Sequence, residues 1–223
     1  MKEVPVAIAL ADGERVSGLA IAPPGPRAAY VLAHGAGAGM AHPFMAAAAR
    51  GLAERGIATL RFQFPAMERG SKRVDTPKAA HAAVRGAVAE AARQLPGVPL
   101  FAGGKSFGGR MTSQAQAEAP LPGVRGLVFL GFPLHPVGRP TTERGAHLAS
   151  VRIPMLFLQG SRDDLASLDL LEPVVKALGP RATLAVFADA DHSFHVPARS
   201  GKSDAQVLAE VLDTLAGWVE ANR

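Results

Sequence analysis

The sequence contains no cysteine, which removes disulfides, thiolate zinc sites, iron–sulfur clusters and a thiol nucleophile together. Aromatic side chains are scarce: one Trp, one Tyr and ten Phe in 223 residues, too few to supply the stacking platforms of a single-strand nucleic-acid binder. Long basic runs are missing as well. The formal charge is +5, from 24 basic and 19 acidic residues, and the densest basic cluster is only Arg69, Lys72 and Arg73. A dispersed basic surface explains this excess without a nucleic-acid partner. No apolar run reaches the roughly 18 residues of a membrane helix, and Met1-Lys2-Glu3-Val4-Pro5 lacks the basic region and apolar run of a signal peptide. These absences predict a cytoplasmic protein without a membrane partner.

Core-forming material is plentiful. Apolar residues make up 48% of the chain and charged residues 19%, the balance of a folded protein, and the length fits a single domain spanning residues 1–223. Val4 to Leu10 and Val16 to Ala22 flank Ala11-Asp12-Gly13-Glu14, which predicts an antiparallel hairpin with an Asp-Gly turn. Short apolar runs follow at Ala28–Ala33, Ala58–Phe62, Leu100–Ala102, Leu127–Leu130, Met155–Leu158 and Thr183–Phe187. Strands buried on both faces have this appearance. Helical patterns lie between and after them, at Pro43–Arg55, Pro77–Leu95, Phe107–Glu118, Leu165–Leu178 and Ser203–Ala221, with a shorter one at Thr141–Ala149. The alternation predicts an α/β fold: a mostly parallel central sheet, helices on both faces, and an N-terminal antiparallel hairpin. Ligands in such sheets bind beyond the carboxyl ends of the strands.

The loop after Leu100-Phe101-Ala102 reads Gly103-Gly104-Lys105-Ser106-Phe107-Gly108-Gly109, and Gly104 to Gly108 fits G-x-S-x-G. Such a serine sits on a tight strand-to-helix turn that projects its hydroxyl above the sheet, and small residues two before and two after let neighbouring chain pass. Gly104-Lys105-Ser106 also spells the end of a phosphate-binding loop, but the earlier glycine that motif requires would fall on Pro99. An activated serine needs a base and an acid to orient the base. Met155 to Gly160 leads into Ser161-Arg162-Asp163-Asp164, and Thr183 to Phe187 into Asp191-His192-Ser193-Phe194-His195. Ser106 as nucleophile, His192 as base and Asp163 as acid follow, with Asp164 and His195 as rivals. After Tyr30-Val31-Leu32-Ala33 comes His34-Gly35-Ala36-Gly37-Ala38-Gly39, whose glycine spacing does not fit a dinucleotide loop. It suits an oxyanion hole, with the N–H of Ala36 as donor, Gly37 as the less favoured choice, and a second donor at Phe107.

In serine, acid, histidine order and in these motifs, the chain resembles the α/β-hydrolase superfamily, in its small dienelactone-hydrolase-like branch. The residues that carry the resemblance are His34-Gly35-Ala36-Gly37, Arg61-Phe62-Gln63-Phe64-Pro65, Gly104-Lys105-Ser106-Phe107-Gly108-Gly109-Arg110, Gly160-Ser161-Arg162-Asp163 and Asp191-His192-Ser193-Phe194. Within that branch it is similar to the group of hydrolase-like domains related to the animal Tex30 and KAT8-complex scaffold proteins. Gln63 stands where the pattern implies an acidic residue or Asn.

The longest connection without a strand runs from Phe132 to Ile153, too short for a large lid, so a shallow pocket open to small or exposed acyl groups is expected. Gly37, Phe64, Phe132 and Phe194 are candidate substrate-binding residues, Met67 and Leu134 further candidates for the apolar side, and Arg69 or Arg73 candidates for an anionic group. The expected activity is hydrolysis of a small-molecule ester or thioester without metal or cofactor. A non-catalytic scaffold that keeps the fold, or an acyltransferase, is the alternative. The apolar stripe Val207, Leu208, Val211, Leu212, Leu215, Trp218 is accounted for by packing on the sheet, which leaves monomer and homodimer both open.

Overall fold

Two short strands, β1 (Val4–Ala9) and β2 (Arg15–Ile21), form the hairpin that the Asp-Gly turn predicts. Gly13 takes a φ of +87° there, and the Asp12 carboxylate accepts the Glu14 N–H at 3.0 Å, the local chemistry that makes Asp-Gly a turn. The protein, a computed structural model, is described over residues 1–71 and 73–223. Lys72 of the basic cluster lies outside the described residues.

The chain continues through β3 (Ala28–Ala33), α1 (Pro43–Glu54), β4 (Ile57–Phe62), α2 (Pro65–Glu68), α3 (Pro77–Gln94), β5 (Leu100–Lys105) and α4 (Phe107–Glu118). There follow β6 (Val124–Leu130), a 3₁₀ stretch (Glu143–Ser150), β7 (Met155–Gly160), α5 (Leu168–Ala177), β8 (Ala182–Phe187) and α6 (Asp204–Asn222). The eight strands form one sheet in the order β1-β2-β4-β3-β5-β6-β7-β8. Pairings β1–β2 and β2–β4 are antiparallel, and every pairing from β4 to β8 is parallel.

Every residue of β3, β4 and β7 is buried, because helices cover both faces. Side chains of α3, α4 and α5 pack one face, around Val84, Met111, Phe129 and Phe157. Side chains of α1 and α6 pack the other, around Leu52, Phe101, Leu212 and Leu215. The stripe on α6 is thereby used in packing, and its N-terminus is closed by a reciprocal Ser203–Gln206 capping box. No helix among the described residues is long and apolar enough to cross a membrane.

The topology fixes where a ligand can sit. From β3 the chain first adds β4 on one side and then crosses to add β5 on the other, so the loops after β3 and β5 diverge and leave a crevice at their carboxyl ends. The glycine-rich loop and Ser106 lie on these two loops.

Differences from the sequence reading are local. The helix expected from Leu165 begins at Leu168, because Asp163 uses the intervening turn: its carboxylate accepts the Leu165 N–H at 2.8 Å and its carbonyl the Ala166 N–H at 3.2 Å. The segment expected as a helix at Thr141–Ala149 is 3₁₀ over Glu143–Ser150. The short α2 had no counterpart in the expectation, although Pro65 at its first position is a usual helix-start signal.

His147 clips the 3₁₀ stretch onto α4 through a 2.8 Å hydrogen bond between its Nε2 and Ser113 Oγ. Burial, with Arg110 and His81 nearby, lowers its pKa from 6.5 to about 4. The folded state therefore favours neutral His147, whereas the unfolded chain takes up the proton at the ordinary value. Stability from this group is complete above pH 6.5 and is lost as the pH falls from 6.5 to about 4. Denaturant titrations across that window should show a steeper loss for wild type than for His147→Gln; equal slopes would mean that His147 carries no such linkage.

Candidate active site

β5 ends at Lys105 and α4 begins at Phe107, which leaves Ser106 alone on the turn with φ +50° and ψ −118°. A side chain in that region costs about 1–3 kcal/mol and persists only where the surroundings impose it. The surroundings do so here. Ser106 N–H donates to the Leu130 carbonyl at 3.2 Å, and the Ser106 carbonyl accepts the Arg110 N–H at 3.1 Å as the helix starts. The flanking glycines are required by β3: a Cβ on Gly104 would lie 2.2 Å from the Ala33 oxygen, and one on Gly108 2.5 Å from the same atom. The spacing of G-x-S-x-G is thus a record of one backbone crossing another.

His192, after β8, is half-buried and directs Nδ1–H to Asp163 Oδ2 at 2.7 Å. Asp163 is 4% exposed, and a buried carboxylate needs hydrogen-bond partners to offset its lost hydration. Its Oδ1 accepts the Leu165 N–H and its Oδ2 also accepts from the Gln159 amide. Gln159 is itself buried, with Oε1 taking the Phe132 N–H at 2.9 Å. The sequence reading missed Gln159, though a polar residue closing the apolar run Met155-Leu156-Phe157-Leu158 was a visible signal. With Nδ1 donating to a carboxylate, Nε2 presents a lone pair; it is buried and has no hydrogen-bond partner among the described residues. The rivals point elsewhere: Asp164 is exposed, and His195 pairs on the surface with Asp204 at 2.9 Å.

The glycine-rich loop after β3 is shaped by His34. Its Nε2 accepts the Phe64 N–H at 3.2 Å, so the ring proton lies on Nδ1 and donates to the Gly35 carbonyl at 2.7 Å. Burial lowers the His34 pKa, in keeping with a neutral ring. Gln63 also has a role: its Oε1 accepts the Met40 N–H at 2.8 Å and holds the far end of the loop. An amide oxygen supplies the acceptor that an acidic residue or Asn would have offered. Ala36 is exposed on this loop, and Phe107, as the first residue of α4, has an N–H without an intrahelical acceptor.

A cavity of about 380 Å³ opens between these loops and is lined by Ala36, His42, Phe44, Met45, Ser106, Leu165, His192 and Ser193, among others. Its apolar wall is therefore Phe44, Met45 and Leu165. The aromatics expected there are placed differently. Phe132 is fully buried against Phe129 and Phe157, and Leu134 is fully buried in the same core. Phe64 packs edge-on against His34, Phe62 and Phe107. Phe194, 2% exposed, stacks behind the wall on Phe44 at 6.1 Å. Gly37, Met67 and Arg73 border a small recess beside Ala36 and Phe107 rather than the cavity, and Arg69 pairs with Glu14 at 3.3 Å on the hairpin.

The family model for the alpha/beta hydrolase domain matches residues 26–220, and the chain belongs to that family. Among solved structures it is similar to a dienelactone hydrolase from Anabaena variabilis, at 21% identity over 99% of this chain and 98% of that one, with a TM-score of 0.78. It is also similar to the esterase domain of a Rhodothermus marinus protein, at 19% identity over 98% of each chain and a TM-score of 0.73. A third is an α/β serine hydrolase without a lid from Xanthomonas campestris, at 20% identity over 100% of this chain and 94% of that one, with a TM-score of 0.70. At these identities the likeness shows a shared fold.

Strain at Ser106 makes a measurable prediction. Ser106→Gly should exceed Ser106→Ala in unfolding free energy by about 1 kcal/mol, since relief of about 1–3 kcal/mol outweighs the roughly 0.5–1 kcal/mol entropic cost of glycine. A lower urea midpoint for Ser106→Gly than for Ser106→Ala would mean that the turn is unstrained, since only the entropic cost of glycine would then remain.

Proposed function

We propose that this chain is a serine hydrolase that cleaves a carboxylic ester or thioester of a small or exposed acyl group through an acyl-enzyme. The observation that carries the reading is the His192–Asp163 hydrogen bond, which leaves a buried, unpartnered Nε2 on the same cavity as the strained Ser106. Ser106 Oγ attacks the acyl carbonyl while His192 Nε2 takes its proton. Asp163 holds the ring in the Nδ1–H tautomer and stabilises the imidazolium that forms. The N–H groups of Ala36 and Phe107 face the oxygen on which charge develops. His192 then returns the proton to the leaving alcohol or thiol, and water, activated by the same ring, releases the acid.

The cavity of about 380 Å³ lies at the small end of ligand sites, which favours short acyl groups against Phe44, Met45 and Leu165. Gln159 enters as a residue that orients the Asp163 carboxylate.

Fluorophosphonate labelling followed by intact mass tests the reading. One covalent adduct is expected on wild type and none on Ser106→Ala. With p-nitrophenyl esters, Ser106→Ala and His192→Ala should each lose about 10⁴-fold or more in kcat, and Asp163→Asn about 10⁴-fold. An unlabelled, folded wild type would overturn the hydrolase reading. Faster product release with added alcohols, together with new ester products, would redirect it to acyl transfer.

A further inference from the structure

Lys105 is the residue before Ser106, and its side chain turns back under the cavity instead of out to solvent. Its Nζ donates to the main-chain carbonyl of His192. The ammonium also faces the rings of Phe44 and Phe194, 5.8 and 5.5 Å from their centroids, and those rings stack on each other at an interplanar angle of 8°. We propose that Lys105 is a positioning residue: its ammonium ties the His192 loop to the strand that carries Ser106, and so sets where Nε2 stands relative to the serine hydroxyl. The inference rests on the hydrolase reading.

Three observations support it. The loop that carries His192 is held in unfavourable backbone conformations on both sides of the ring, with φ +59° at Asp189 and +63° at Phe194. Such residues need ties to stay in place. From the β7 side they have them: Ser161 Oγ accepts the Asp189 N–H at 2.9 Å, and the Ala190 carbonyl accepts the Arg162 N–H at 2.9 Å. From the strand and turn that carry Ser106, the Lys105 bond is the hydrogen bond to this loop among the described residues.

Second, room has been kept for it. Gly131, just past β6, has φ +69°, and a Cβ there would lie 2.9 Å from Lys105 Nζ and 3.3 Å from both Nδ1 and the carbonyl oxygen of His192. A side chain at this point would push the ammonium and the histidine apart.

Third, Lys105 is half-buried, and desolvating an ammonium is costly where a methionine would fill the same space without that cost. Charge here therefore implies a role in the hydrogen bond and the ring contacts. Both are stronger for a cation than for a neutral amine.

Burial lowers the Lys105 pKa to about 8, against the opposing pull of Asp163 and Asp191. The titratable groups that face it are Asp163 from the β7 loop, Asp191 and His192 from the β8 loop, and His42, which lines the same cavity ahead of α1. The ammonium tie is present below about pH 8 and is lost as the pH rises through that value.

The test measures kcat and KM for p-nitrophenyl acetate from about pH 6 to pH 9.5, with fluorophosphonate labelling rates, on wild type, Lys105→Met and Lys105→Arg. Lys105→Met is expected to lose about 10–100-fold in kcat, in line with the cost of misplacing a reacting group by about 1 Å, while KM moves less than about threefold. The alkaline fall in wild-type kcat should vanish in Lys105→Arg, whose guanidinium keeps its charge, and that variant should recover most of the lost kcat. Wild-type kcat and pH profile in Lys105→Met would overturn the assignment while leaving the hydrolase reading intact; a wild type that neither labels nor turns over would remove both. Should Lys105→Met not fold, the Lys105→Arg profile decides alone: an alkaline limb unchanged from wild type overturns the proposal.

Discussion

The carbonyl oxygen of Ala33 lies where a side chain on either Gly104 or Gly108 would have to begin, and the rest of the site depends on this close approach. It brings the end of β3 against the turn between β5 and α4, so that the glycine-rich loop and Ser106 leave the sheet at the same height. The same crossing bends the chain sharply enough to put Ser106 at a positive φ. A wider crossing would relax that residue. The Ser106 turn and the placement of the glycine-rich loop after β3 are thus two consequences of one steric constraint.

Around that contact, several buried polar groups are held by hydrogen bonds. Asp163 takes hydrogen bonds from the Leu165 N–H, the Gln159 amide and the His192 ring, which is how a carboxylate tolerates an apolar surrounding. His34 and Gln63 satisfy the backbone of the loop after β3. Arg61, fully buried in β4, donates to the Met40 carbonyl at 2.9 Å and pairs with Glu3 at 2.7 Å, which links the N-terminal strand to the far end of the same loop. Nε2 of His192 is among the buried side-chain atoms without a hydrogen-bond partner, and it is one that borders the cavity.

The cavity is lined largely from segments outside the sheet. Phe44 lies on α1, Leu165 on the turn after Asp163 and Ser193 beyond His192. All three stand on segments that the sheet positions but whose side chains the sheet does not dictate. The aromatics that a sequence reader would place in the cavity are instead consumed by packing. Phe132 and Phe157 fill the α4 side of the sheet, and Phe64 wedges between His34 and Phe107.

The fold was legible because its signals are local. Apolar runs, helical periodicity, the Asp12-Gly13 turn and the glycines around Ser106 act over a few residues, and each forms much where its pattern predicts. Ser106, Asp163 and His192 could be picked out as candidates from the G-x-S-x-G pattern and the strand ends. Gln159 could not, because its role is to face Asp163 from inside a strand, and one-dimensional pattern does not say which way a buried amide points. Lys105 was read only as a letter inside a motif. Its meaning comes from Gly131, Phe44, Phe194 and the His192 carbonyl, which three separate segments of the chain bring together. The sequence by itself determined the alternation of strand and helix and the loops on which reactive groups stand, since short-range sterics and hydrophobic period suffice for these. Only the tertiary structure decided which acid meets which histidine, what lines the cavity and where Lys105 is tied. Those outcomes depend on distances between segments far apart in the chain.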